Sequence, residues 1–402
     1  MNVLFLTMAR IGSLSDRGVY TDLMRKFSDD GHKVYVVTPV ERRENKKTGI
    51  TEETSGTILN VRTLNIQKTN IIEKGLGTLA IESQFLNAIK KNLPRIKFDL
   101  ILYSTPPITF VKVISYIKKR DNAYAYLMLK DIFPQNAVDM KMLKKGSVLH
   151  RFFQKKERKL YEISDFIGCM SAANESFLLN HNPQISKEKV EVNPNTIEPL
   201  ELHQTVEERD AIKRKYALPQ DKKIFVYGGN LGKPQGVEFL LETIEATTRE
   251  DVFFLVIGSG TEYSRIKKWF EERKPQNAVL MKGLPKDDYE FLLRACDVGM
   301  IFLHKDFTIP NFPSRLLSYL DLKLPVLAAT DTSTDVGTII EKARCGYGIL
   351  WGDQTAMQNA IPKFCADDTV YKEMKDNAWN LLVTEFHVDR SYGLIKEKIQ
   401  NV

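Results

Sequence analysis

Two stretches of this chain hold the residue types that chemistry on an anion requires. The first is Gly228–Gly236, GGNLGKPQG, with four glycines in nine residues. Glycines let backbone approach a ligand closely, and Asn230, Lys233 and Gln235 supply donors for phosphate oxygens. A tight turn between strand and helix would also place glycine here, although Gly228, Gly229 and Gly232 together exceed what a turn needs. The second stretch is 304–329, HKDFTIPNFPSRLLSYLDLKLPVLAA. Its Pro313-Ser314-Arg315 opens a predicted helix, which Ser314 is placed to cap and whose free N–H groups would meet a phosphate. Arg315 adds a forked charge that cannot be titrated away. An ordinary strand–helix–strand unit with a capping serine would read the same way. His304 would touch a substrate hydroxyl or simply lie on the surface. Asp131, in Lys130-Asp131-Ile132-Phe133-Pro134, would face a cleft or cap the next helix.

These residues need strands to position them. The apolar runs Lys223–Tyr227, Val252–Ile257, Ala278–Met281, Val298–Leu303, Pro325–Ala329 and Gly348–Leu350 predict strands alternating with helices. The first half alternates likewise: strands Val3–Thr7, Val34–Thr38, Ile58–Leu64, Leu100–Tyr103, Tyr124–Leu129, Phe166–Met170 and Val190–Val192. Helices are predicted through Tyr20, Leu23, Met24 and Phe27, over Ile71–Asn92 and over Ile108–Lys119. The polar residues 41–56 read as an exposed loop. Such alternation predicts parallel sheets. The turn-rich residues 9–18 open the chain in Rossmann style, but without GxGxxG, so a dinucleotide reading is weak. Turn residues from Asn193 onward place a linker at 194–205, and the tail from about 367 is helical.

At 402 residues, 43% hydrophobic and 27% charged, the chain has the size and balance of two soluble α/β domains. No apolar run approaches the ~20 residues of a membrane span. The amino terminus reads as a strand and not a signal peptide. Cys169, Cys296, Cys345 and Cys365 lack metal spacing and read as buried thiols in a reducing cytoplasm. Net charge is +10 over residues 1–200 and −3 over 201–402, which predicts different ligands for the two halves. Residues 141–160 alone hold eight basic residues against Glu157, with Leu149, Phe152, Phe153, Leu160 and Ile163 near one helical face. That pattern suits an anionic membrane surface, or a solvated helix with its apolar stripe in the core. Nucleic-acid binding is not expected, because no aromatic platform accompanies the charge. Strict D-x-D, H-E-x-x-H, G-x-S-x-G and Walker motifs are absent, which removes the simplest metal-dependent transferase, protease, hydrolase and NTPase readings.

Gly228–Gly236, Pro313–Ala328 and the Asn195-Thr196-Ile197 junction together resemble glycosyltransferase family 4, over nearly the whole chain. The likeness is nearest to bacterial transferases of capsule and O-antigen synthesis, including N-acetyl-L-fucosamine transferases, which Lys130–Pro134 and the basic 141–160 segment also resemble. The resemblance implies a GT-B fold, two Rossmann-like α/β domains with parallel sheets facing across a cleft. Residues 1–198 would bind the acceptor, 199–385 the nucleotide sugar, and the helix 386–402 would pack back on the first domain. It implies retaining, metal-independent transfer with a UDP-sugar as co-substrate and no cofactor. The acceptor would be a polyprenyl-diphosphate-linked saccharide, met at the cytoplasmic face of the plasma membrane. Asp131, Lys233 and Arg315 would be catalytic. Gly229, Asn230, Gly232, Gln235, His304, Pro313, Ser314, Leu316 and Ser318 would bind the donor, and Ser13, Asp16 and Arg17 the acceptor. Two departures stand out. The family's paired glutamates fall on Pro310 and Ser318, and its basic pair in the glycine loop falls on Asn230 and Gln235. A sugar-nucleotide epimerase on the same fold and a non-catalytic scaffold are the alternative readings.

Overall fold

The computed structural model describes residues 1–65 and 71–400. The chain divides into one unit of Met1–Glu198 with His387–Val402 and a second of Pro199–Phe386.

The first unit is built on eight strands: β1 (Asn2–Leu6), β2 (Lys33–Glu41), β3 (Gly49–Glu53), β4 (Gly56–Thr63), β5 (Leu100–Ser104), β6 (Tyr124–Leu129), β7 (Phe166–Cys169) and β8 (Val190–Val192). Their order in the sheet is β3-β4-β2-β1-β5-β6-β7-β8. Every pair is parallel except β3 on β4. Helices cover both faces, so the central strands are continuous apolar runs, and Val3, Leu4, Phe5 and Leu6 are fully buried. Helix Val19–Asp29 turns Leu23, Met24 and Phe27 onto β1 and β2. The last helix, Val388–Gln400, adds Val388, Tyr392 and Ile395 to that same core. Lys26 Nζ lies 2.5 Å from Asp389, and Lys396 Nζ donates to Asp30 at 2.7 Å, which fixes its docking.

Residues 41–56 are not the loop that their polarity predicts. Strand β2 continues to Glu41, and Gly49–Glu53 forms an antiparallel edge strand on β4. Its middle residues, Ile50, Thr51 and Glu52, are exposed, so it lacks the buried face by which strands are recognised. A charged edge strand of this kind discourages pairing with other chains.

The second unit has six strands: β9 (Lys223–Asn230), β10 (Val252–Ser259), β11 (Ala278–Lys282), β12 (Val298–Phe302), β13 (Val326–Thr330) and β14 (Gly346–Leu350). All are parallel in the order β11-β10-β9-β12-β13-β14, the doubly wound 3-2-1-4-5-6 arrangement. Phe225, Tyr227, Phe239, Phe254 and Phe302 fill its core. The winding reverses between β9 and β12 here, and between β1 and β5 in the first unit. Loops diverge at such a reversal, leaving a crevice at the carboxyl ends of the strands.

Candidate functional site

The glycine loop leaves the carboxyl end of β9, on one side of that crevice in the second unit. Gly229 has φ +114°, and a Cβ there would lie 3.7 Å from Arg315 Nη2. Gly236 has φ +54°, and its Cβ would meet Trp351 Nε1 at 2.5 Å and His304 Cα at 3.1 Å. Only glycine allows this approach. His304 N–H donates to Pro234 O at 3.0 Å, and Trp351 Nε1 donates to Gly236 O at 3.2 Å. The loop is therefore held by the residues after β12 and β14, and helix Val237–Ala246 starts directly behind it.

Arg315 is the charged centre of this arrangement. Its guanidinium sits 4.4 Å from the centroid of the buried Tyr227 ring, and Nη2 donates to Gln235 Oε1 at 2.9 Å. Nη1 is buried and has no acceptor, and the side chain forms no ion pair among the described residues. Burial pushes the Tyr227 phenol up, against the opposing pull of Arg315, so it stays a donor and gives its proton to Asn230 O at 3.1 Å. A half-buried cation whose buried Nη1 group has no acceptor, beside a glycine loop, is an arrangement that can take an oxyanion.

The other expected donor residues divide. Asn230 folds over Gly232, whose Cβ would lie 3.0 Å from Asn230 Nδ2. Lys233 is exposed beside them. His304 Nδ1 accepts from Asp306 N–H at 3.2 Å. Pro313 and Ser318 are half-buried. Ser314 does not cap its helix, which spans Arg315–Asp321. Its backbone is already helical (φ −62°, ψ −18°), whereas a capping side chain needs an extended residue. Leu316 is fully buried, and its N–H is already bonded to Pro313 O at 3.1 Å, so its side chain serves the core. Pro310 is buried as well.

Sequence reasoning missed Tyr227, Trp351 and Asp331. The Asp331 carboxylate accepts from Ser333 N at 2.7 Å, Thr334 N at 2.9 Å and Thr334 Oγ1 at 2.9 Å. Thr334 Oγ1 in turn accepts from Asn311 N at 3.0 Å, joining the loops after β12 and β13. The signal was there in Asp331-Thr332-Ser333-Thr334, a polar run directly after a buried strand.

In the first unit, Asp131 follows β6. It does not cap helix Gln135–Asp139, whose cap position is Pro134. Its Oδ1 accepts from Asn136 Nδ2 at 2.7 Å, and burial pushes its carboxyl above the usual range. Ser13 Oγ is bonded to Glu53 Oε2 at 3.0 Å. Arg17 Nη2 donates to Glu198 O at 2.7 Å, and the Asp16 carbonyl accepts from Arg25 Nη1 at 2.8 Å. These three side chains or carbonyls brace the loop after β1 at the crevice of the first unit.

Two such doubly wound units in one chain are the fold of the GT-B glycosyltransferases. Sucrose-phosphate synthase of Thermosynechococcus elongatus superposes with TM-score 0.74 at 14% identity, covering 100% of this chain and 99% of its own. Anabaena HepE, solved in complex with UDP, superposes with TM-score 0.70 at 14% identity over 100% of both chains. Residues 208–380 match the family model described as glycosyl transferases group 1. Among relatives by sequence is WbjE of Pseudomonas aeruginosa, described as a probable glycosyltransferase. It is 24% identical over 307 residues, 75% of this chain and 74% of the relative. WcaI of Escherichia coli K12, described as a candidate colanic acid biosynthesis glycosyl transferase, is 26% identical over 132 residues, 33% of this chain and 32% of its own.

Proposed function

We propose that this protein is a retaining glycosyltransferase of bacterial surface polysaccharide synthesis. It moves a sugar from a UDP-sugar held by the second unit to a lipid-linked saccharide met by the first. The observation that carries this reading is the unpaired Arg315 guanidinium beside the glycine loop at the crevice of the second sheet. HepE, of the same fold, was solved with UDP and with UDP-glucose, which supports a uridine nucleotide as first choice. The likeness of Lys130–Pro134 to N-acetyl-L-fucosamine transferases makes UDP-N-acetyl-L-fucosamine the first donor to try.

In the proposed reaction the acceptor oxygen bonds to the anomeric carbon as the bond from that carbon to the diphosphate breaks. Front-face attack lets the departing phosphate oxygen take the acceptor proton, so no separate base is required. The charge that develops on the diphosphate is met by Arg315, by Lys233 and by backbone N–H groups of the glycine loop. Groups already in place for that charge are worth several kcal/mol in the transition state. No metal is needed in this scheme.

A polyprenyl-diphosphate acceptor would bring the first unit to the cytoplasmic membrane surface, and segment 141–160 supports that. Met142, Val148, Leu149 and Phe152 are 74%, 87%, 53% and 37% exposed, among the most exposed large apolar side chains described. Lys144, Lys145, Arg151 and Lys155 are exposed around them. Leu160, by contrast, is buried, and Lys156 lies 3.6 Å from Glu82, so the far end of this helix belongs to the core. Apolar side chains rimmed by cations suit an anionic leaflet.

A panel of nucleotide sugars, incubated with the protein and membrane extract, tests the reaction by release of nucleoside diphosphate. Acceptor-dependent release supports the transferase. Conversion of the sugar nucleotide without acceptor would identify an epimerase, and no turnover of any donor a scaffold.

A further inference from the structure

We infer that Lys130 and Asn136 form a subsite on the first unit for a saccharide that carries an oxyanion. The inference rests on the first unit being the acceptor side, and it assigns these two residues the recognition of a charged substituent beside a hydroxyl. Lys130 lies just beyond the carboxyl end of β6, next to β5, on the edge where open parallel sheets take ligands, and Asn136 lies in the helix Gln135–Asp139 that follows. The buried Thr105 Oγ1 accepts the backbone N–H groups of both Lys130 and Asp131 at 3.1 Å, pinning them against the end of β5.

Asp131 then orients Asn136. With Asn136 Nδ2 committed to Asp131 Oδ1, the amide oxygen Oδ1 is turned the other way, and it is buried without a donor. A buried acceptor left unsatisfied is costly, and a ligand hydroxyl would relieve it. Lys130 poses the matching problem in charge. It is half-buried, and its Nζ makes no hydrogen bond or ion pair among the described residues. Desolvation pulls its pKa down to about 7. The groups around it do not supply the missing anion. Cys169, on the neighbouring β7, is pushed up to about 12 by burial and stays neutral. From helix Val148–Ile163, Tyr161 donates to Glu157 at 2.9 Å, and the Glu157 carboxyl is itself raised to about 7 by burial. Burial holds the Tyr161 hydroxyl protonated, so it supplies no charge either. Beyond Cys169, Glu175 is already paired with Lys187 at 2.5 Å. A cation without an anion and an acceptor without a donor, six residues apart in the segment that follows β6, are complementary to a phosphorylated or carboxylated saccharide.

The test uses the full-length protein with UDP saturating the second unit, and ligand-observed NMR with three probes: glucuronate, N-acetylglucosamine 1-phosphate and N-acetylglucosamine. Both anionic probes should bind more tightly than the neutral one, and the tighter of the two names the oxyanion. Glucuronate keeps its charge between pH 6 and pH 8.5, whereas Lys130, at about 7, loses its proton across that range, so its affinity should fall by about tenfold or more. Lys130→Arg should bind glucuronate at both pH values with a flat profile, and Lys130→Met should lose the preference for anions. Thermal melts of Lys130→Met should match or exceed wild type, since no uncompensated charge is buried. Equal binding of anionic and neutral probes, a flat wild-type profile, or an unchanged Lys130→Met would overturn the inference. A failure of UDP itself to bind is read in a separate titration and counts against the donor site, not against this subsite.

Discussion

Replacing Arg315 by methionine separates its role in the fold from its role toward a ligand. Methionine keeps a long unbranched chain against Tyr227 and removes only the charge and its donors. On the fold side, the lost contact over the Tyr227 ring, at 4.4 Å, is worth about 0.5–2 kcal/mol. Against this, the variant no longer buries Nη1 without an acceptor, a cost of about 1–3 kcal/mol. Methionine also gives up the hydrogen bond to Gln235 Oε1, about 0.5–1.5 kcal/mol, so the terms oppose one another and stability should change by no more than about 2–3 kcal/mol in either direction. On the ligand side, a hydrogen bond to a charged group is worth about 1.5–3 kcal/mol, so UDP should bind roughly 10- to 160-fold more weakly. Calorimetric titration with UDP reads the second effect and a thermal melt the first. Arg315→Lys should fall between, because the ammonium keeps the charge but cannot hold Gln235 and a phosphate in one plane. If Arg315→Met melts like wild type and binds UDP equally well, the guanidinium does not face the diphosphate and the donor site is elsewhere.

Transfer should proceed undiminished in EDTA; activity lost to chelator and restored by Mg²⁺ or Mn²⁺ would show that protein groups alone do not neutralise the leaving group. Glutamate at Met142, Val148 and Leu149, or glutamine at Lys144, Lys145 and Lys155, should shift the protein off anionic vesicles in sedimentation, the lysine set most clearly at low salt. Equal sedimentation of variants and wild type would make this segment a plain surface. The Asp30 carboxyl is held at about 2 by hydrogen bonds from Lys396 and Tyr392. Its pKa is lower in the folded state than in the unfolded, so its stabilisation is full above pH 4 and disappears as pH falls toward 2. Asp30→Asn should therefore melt below wild type at pH 5, with the gap narrowing by pH 2.5; a constant gap would mean that Asp30 does not anchor the last helix.

How much of this was legible in the sequence depended on how far each interaction reaches along the chain. Strands buried on both faces announce themselves as apolar runs, and Tyr124–Leu129 and Val190–Val192 are predicted with the limits they have in the sheet. Strand β3 was hidden because an edge strand with exposed Ile50, Thr51 and Glu52 has no apolar face to show. The glycine loop was legible because backbone that must come close to something can be glycine and little else. Ser314 was misread as a cap, since residue type permits capping but only the backbone angles decide it.

The sequence by itself determined the two doubly wound units and the residue types at their strand ends, because periodicity and turn chemistry act over a few neighbours. Whether those residues have partners was decided by the tertiary structure alone. Arg315 meets Gln235, 80 positions away, because the loop after β9 and the helix after β12 meet at the carboxyl edge of one sheet. Lys130 reads in the sequence as an ordinary lysine after a strand. It becomes a cation without an anion only when β5 and β7 close around it and Cys169, neutral, is the group they bring. Partner satisfaction is a property of packing over long sequence separations, so no local pattern could have shown which charges the fold leaves open.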